Sequence, residues 1–206
     1  MDFTISPPLL LALLGLLYVL VFGGLMLLRQ EGISARFAIE ACAIIAVVVG
    51  VTAFTGFVLN PGFFLLLLYI FTVRVRLLVD LGNLLARRGN LDAAARIYRL
   101  AGRLWPDEAG RLIVRMNQGV LAVHRGALDE AIATLREVLA AASSGYLGLK
   151  HESACHYNLG VALLKKGLDA QATLEFNAVL ETWPASEYAR YARIALERRK
   201  RKARSD

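Results

Sequence analysis

The chain has 206 residues, 57% of them hydrophobic, a mean hydropathy of +0.51 and a formal net charge of +7. That apolarity exceeds what an ordinary soluble domain carries, and two cysteines exclude a disulfide-stapled fold. Neither property is spread evenly: residues 1–73 carry two Arg against Asp2, Glu31 and Glu40, a net of −1, whereas residues 74–206 carry 22 Lys and Arg against 14 Asp and Glu, a net of +8.

The stretch 9–28, LLLALLGLLYVLVFGGLMLL, is uncharged and, at 1.5 Å per residue, about 30 Å long as a helix, the thickness of a bilayer core. No Lys or Arg precedes it, so it reads as an uncleaved span and not as a secretory leader. A polar loop, RQEGISAR, leads to a second span over 37–59, interrupted only by Glu40. Asn60-Pro61-Gly62 breaks that span and supplies an N-cap and a first-turn proline for a third helix. The apolar part of the third helix, 61–73, is short of a bilayer at about 18 Å. Either Arg74 and Arg76 snorkel and extend it, or the segment dips as a shallow hairpin. Basic residues cluster in the 29–36 loop and after Val73, which puts the N-terminus outside and the region from Arg74 onward in the cytoplasm. Glu40 lies four residues after Arg36 at a helix start, an ordinary ion-pair spacing. Ala46-x-x-x-Gly50 is a small-residue spacing that permits close helix approach, either against Gly23 and Gly24 of the first span or in self-association.

From Leu81 onward a pattern recurs: a Gly, a second Gly seven residues on, an Ala five further, and a bulky residue four after that. The copies are Gly82/Gly89/Ala94/Tyr98, Gly119/Gly126/Ala131/Leu135 and Gly160/Gly167/Ala172/Phe176. Two copies close on Trp-Pro, at Trp105-Pro106 and Trp183-Pro184. Each copy reads as two amphipathic helices joined at the second Gly. RRGNLDAA, HRGALDEA and KKGLDAQA each offer an Asp to cap the second helix. The first Gly and the Ala are small because the helices cross closely there. One such pair cannot bury its own apolar face, so the copies stack. EYARYARIALERRKRK, 187–202, follows as a capping helix, with Tyr188, Tyr191, Ile194 and Ala195 available to cover the last pair.

These residues resemble the tetratricopeptide repeat. Leu81, Gly82, Gly89, Ala94, Tyr98, Ala101 and Pro106 carry the resemblance in the first copy, and Tyr157, Asn158, Leu159, Gly160, Gly167, Ala172, Phe176 and Pro184 in the third. The middle copy departs with Gln118 for Leu, Leu135 for the aromatic and Ser143 for Pro. The resemblance implies an α-solenoid of helix pairs over 75–108, 112–145 and 153–186. The Gly-to-Gly spacings, from 82 to 119 and from 119 to 160, exceed the family's period of about 34. The surplus is expected in connections after Pro106 and across 143–152. The whole chain is then all-α: a membrane anchor over 1–73, repeats over 74–186, and a capping helix with a basic tail over 187–206. The absence of a helix breaker between Gly62 and Gly82 implies that the third membrane helix continues into the first repeat.

In this family the first helices of the pairs line a groove that takes a peptide or a helix. Carried onto this sequence, that face is Arg76, Val79, Asn83 and Arg87, then Ile113, Met116, Val120 and His124, then Tyr157, Val161, Leu164 and Lys165. The groove is apolar with a basic edge and suits an amphipathic or acid-flanked protein segment. Asn83, Asn117 and Asn158 stand where a reader of C-terminal carboxylates has Asn, but Val79 and Ala154 replace its basic groups, so no such reader is expected. Arg74, Arg76, Arg198, Arg199, Lys200, Arg201 and Lys202 are candidates for contact with anionic lipid. Nucleic acid is disfavoured because the tail lacks stacking aromatics. His151 and Cys155 are one helical turn apart with His156 adjacent, but two ligands do not make a metal site. Nothing in the chain resembles a nucleotide loop or a catalytic triad, so no enzyme, cofactor or small-molecule substrate is expected. The expectation is an adaptor in a bacterial inner membrane that holds a protein partner in a cytoplasmic groove. The rival is a subunit of a membrane complex whose helical hairpin is the functional part.

Overall fold

The structure is a computed structural model describing residues 5–28, 34–142 and 147–205, with side chains to Arg201. The described residues form α1 (Pro7–Leu28), α2 (Ala35–Thr55), α3 (Pro61–Arg87), α4 (Leu91–Arg103), α5 (Glu108–Arg125), α6 (Leu128–Ala142), α7 (Gly148–Lys165), α8 (Asp169–Thr182) and α9 (Glu187–Ser205), with no strand among them. Residues 29–33 of the first loop, Ser143 and the Lys202 side chain lie outside the described residues.

Three helices are long and apolar enough to cross a membrane: α1, α2 and α3. They share a core of Leu11, Tyr18, Phe37, Ala41, Phe64 and Leu68, and most of their other apolar side chains face outward. Ser34 caps α2 by accepting from the Phe37 amide. The second helix stops at Thr55, four residues before the expected end. Gly56 adopts φ 70°, a left-handed C-cap whose N–H returns to the Thr52 carbonyl, and that geometry ends the helix. The close approach of α1 and α2 falls at Gly15, which lies against Ile45. Gly23, Gly24 and Gly50 have open space where a Cβ would be, so the expected packing of Ala46 and Gly50 on Gly23 and Gly24 is not formed.

Asn60 caps α3 by accepting from the amides of Gly62 and Phe63, with Pro61 in the first turn. The helix then runs 27 residues without a break, about 40 Å. It therefore belongs to two cores, giving Phe64 and Leu68 to the apolar bundle and Val79 to the repeat core. The paired helices are α3 with α4, α5 with α6, and α7 with α8, and the first helices α3, α5, α7 and α9 also contact one another in order. Among the described residues the backbones of the second helices α4, α6 and α8 do not approach one another, and α6 reaches α8 only through a long side chain, Arg136 donating to Gln171 at 2.7 Å. First helices side by side on one face make a curved stack.

The recurrent residues meet as the pattern requires. Gly82 lies under Tyr98, a Cβ on Gly119 would sit 3.0 Å from Leu135, and one on Gly160 would sit 2.7 Å from Phe176. Gly89, Gly126 and Gly167 turn the chain at φ 79°, 79° and 81°, where a side chain is disfavoured. Two expectations are corrected. Asp92, Asp129 and Asp169 do not cap: Asn90 caps α4, and the three Asp sit in the first turns of α4, α6 and α8. The extra residues do not form long connections after Pro106 and at 148–152. Asp107 caps α5 directly after Pro106, and α7 already begins at Gly148, so the surplus lengthens the first helices to 18 residues each. Two repeat starts therefore lie four to five residues before the expected 112 and 153.

Candidate functional site: the first-helix face and the joint at the apolar helices

The expected groove residues divide by burial. Val79 and Met116 are 4% and 5% exposed and Ile113 is equally covered, so these three are packing between helices and offer no floor to a partner. Asn83 accepts the Tyr98 hydroxyl at 2.6 Å. Asn117 and Asn158 donate to the carbonyls of Ile113 and Ala154 in their own helices, both at 2.8 Å. Val120, Tyr157 and Val161 are half-buried, whereas Arg87, His124, Leu164 and Lys165 are exposed. Arg76 lines a cleft beside the apolar helices together with Arg74.

An aromatic cluster completes this face. The Tyr157 ring lies 5.8 Å from Tyr188, 5.9 Å from Tyr191 and 5.9 Å from Phe176. Arg190 stands over Tyr191 at 5.2 Å. The α9 residues that seal the last pair are Ala189 and Ala192 with, partly, Leu196 and the expected Tyr188 and Ala195, whereas Tyr191 and Ile194 stay 39% and 42% exposed. The expected cover by Tyr191 and Ile194 is thus corrected, and α9 serves as a fourth first-helix. The signal was present in Trp183-Pro184: Trp105-Pro106 directly precedes a first helix, and so does its counterpart. Burial raises the pKa of the Tyr188 hydroxyl, and Arg87 opposes that shift from α3, which has no backbone contact with α9.

The second constellation joins the apolar bundle to the repeats. Glu40 pairs with Arg36 at 2.8 Å as its spacing suggested, but also with Arg74, at 2.7 Å and 2.9 Å through two nitrogens. Arg74 further donates to the carbonyls of Phe71, Leu104 and Trp105, and Arg36 donates to that of Pro106. Trp105, 78% exposed, holds φ 50°, unusual for a bulky residue, and the Arg36 guanidinium lies 5.8 Å from its ring centroid. A cleft of about 260 Å³ opens here between Phe22, Tyr69, Arg76, Asp80 and this cluster.

His151, Cys155 and His156 do not converge. Cys155 is fully buried, His156 Nδ1 lies 2.8 Å from Glu175, and the described residues contain no cluster of three metal-ligating side chains. Burial pushes the Cys155 thiol up to about 12 and the Tyr98 hydroxyl up to about 12. Both groups are held neutral by the fold, so they add nothing to the pH dependence of stability below about pH 9. Stability should fall from pH 9, as the unfolded thiol and then the unfolded phenol ionise, until about pH 12, where the folded groups follow. Thermal melts followed by helicity across that range test this, and Tyr98→Phe should flatten the upper part of the fall.

No protein-family profile and no curated protein matches the chain. Among solved structures, the N-terminal domain of stress-induced protein-1 (STI-1) from C. elegans is similar, with a TM-score of 0.47 and 15% identity over 60% of this chain and 94% of that one. The class is accordingly an all-helical protein, with three apolar helices followed by a repeat-like helical region.

Proposed function

We propose that the chain is a membrane-anchored adaptor of tetratricopeptide type, with its repeats in the cytoplasm and a segment of a protein partner held on the first-helix face. The observation that carries this reading is the exposed apolar and aromatic surface on that face. Leu164, Tyr191 and Ile194 remain open, Tyr191 packs beside Tyr157, and the Arg190 charge borders it. Large aromatics with adjacent Arg are the usual anchors of protein interfaces. No nucleophile, paired acid and base, or phosphate loop stands on this face, so binding and not chemistry is the reading it supports.

The test uses the full-length protein in its own membrane. A photocrosslinking residue placed at Val161 or Tyr191 should give discrete protein adducts, and one placed at Leu174, exposed on α8, should not. Val161→Glu should reduce the Tyr191 adducts at least tenfold while leaving helicity unchanged. Equal crosslinking from both faces, or indifference to Val161→Glu, would sink the assignment. A cysteine introduced at Ala170 should react with an impermeant reagent only after the inner face is opened; labelling from outside would overturn the cytoplasmic placement.

A further inference from the structure

The edge of the array where the paired helices turn carries a repeated charge arrangement. At the turns each first helix carries two consecutive basic residues: Arg87-Arg88, His124-Arg125 and Lys165-Lys166 at the ends of α3, α5 and α7, and Arg198-Arg199 within α9, which runs on to Ser205. The second member of each later pair reaches back to the Asp that opens the preceding second helix. Arg125 binds Asp92 at 2.6 Å, Lys166 binds Asp129, and Arg199 lies 3.6 Å from Asp169. This ladder uses one cation per step, and a cation at a helix C-terminus is favourable in any case. The first members are left over. Arg87, His124, Lys165 and Arg198 are exposed and have no ion-pair partner among the described residues, and Lys200 and Arg201 add charge at the α9 end.

We infer that this edge is a second binding surface, distinct from the first-helix face, and that its ligand is an acidic protein segment lying along the turns. Neighbouring helices stand about 8–10 Å apart, which sets the interval between surplus cations. A polyproline-type extended segment has three residues per turn at about 3.1 Å each, so every third side chain falls on one side at intervals of roughly 9 Å. A chain with a carboxylate at every third position therefore meets a cation at the α3, α7 and α9 steps and the His124 imidazole at the α5 step. Duplex nucleic acid carries a charge every 1.7 Å or so, far denser than this edge with its interleaved Asp residues.

The probe is a fluorescein-labelled peptide of five Glu-Pro-Pro units, titrated against the full-length protein in nanodiscs of zwitterionic lipid. Saturable binding that weakens steadily with salt is expected. Lys165→Glu combined with Arg198→Glu should weaken it at least tenfold, and both positions are exposed, so folding is retained. Val161→Glu, which attacks the first-helix face, should change it by less than about twofold, so failure of that face and failure of this edge are told apart. Comparable binding of a Lys-Pro-Pro peptide, or indifference to the double charge reversal, would overturn the inference. Tighter binding of an oligothymidylate or of phosphatidylglycerol vesicles through the same two residues would overturn it in favour of nucleic acid or lipid.

Discussion

Arg74→Met is expected to loosen the joint between the apolar bundle and the repeats by about 2 kcal/mol, a roughly thirtyfold shift in a local opening equilibrium. The change removes both guanidinium contacts to Glu40 and the donors to the carbonyls of Leu104 and Trp105. Side chains in this pair are 20% and 25% exposed, so the cost lies below that of a fully buried pair. Glu40 would keep only Arg36, and the carbonyls of Leu104 and Trp105, just beyond α4, would lose their Arg74 donors. Tryptic cleavage at Arg103 reads the opening of this connection, and the fluorescence of Trp105 in a Trp183→Phe background reports its change of surroundings. Glu40→Gln should have a smaller effect, because an amide oxygen still accepts from Arg74. Glu40→Leu with Arg74→Met should recover part of the loss, since no charge is then orphaned. Unchanged cleavage at Arg103 in Arg74→Met would show that the joint is held by α3 continuity alone.

That joint marks where the sequence stops being legible. The Arg36 and Glu40 pair follows from their spacing on one helix, but Arg74 reaches Glu40 across 34 residues, and no local rule announces it. Continuity of α3 could be read, because only absent breakers were needed. The end of α2 could not, because Gly56 reads as one more small residue until its left-handed conformation is seen. Helix caps failed in the same way. Asp92, Asp129 and Asp169 stand at plausible cap positions, yet each does its work on the following element, by receiving a cation from the next first helix. The repeat itself was legible because it is written in volumes, with a Gly opposite a bulky residue three times. The first-helix face was legible only by position. Val79 and Met116 have the right register but are consumed by packing, whereas Tyr191 and Ile194 were hidden by the assumption that the last helix is only a lid.

Gly160→Ala is expected to destabilise the repeats by roughly 2–3 kcal/mol, despite alanine being the better helix former by about 1 kcal/mol. The new methyl would sit 2.7 Å and 2.9 Å from atoms of the Phe176 ring, which is fully buried and cannot swing aside. Gly119→Ala should cost about 1 kcal/mol or less. Its neighbour there is the Leu135 side chain at 3.0 Å, which can yield by a few tenths of an ångström. Gly82→Ala should be at least as damaging as Gly160→Ala, because Tyr98 is also tied through its hydroxyl to Asn83 and cannot shift without breaking that bond. The order of the three sites is therefore fixed by the rigidity of the facing side chain and not by helix propensity, which is the same at each. Combining Gly160→Ala with Phe176→Leu separates the two causes. If the clash dominates, the double variant is more stable than the sum of the single effects by more than about 1 kcal/mol, because the leucine makes room for the methyl. Strict additivity in denaturant melts of the two singles and the double would mean that α7 and α8 do not cross at Gly160, and the stacking of the third pair would have to be redrawn.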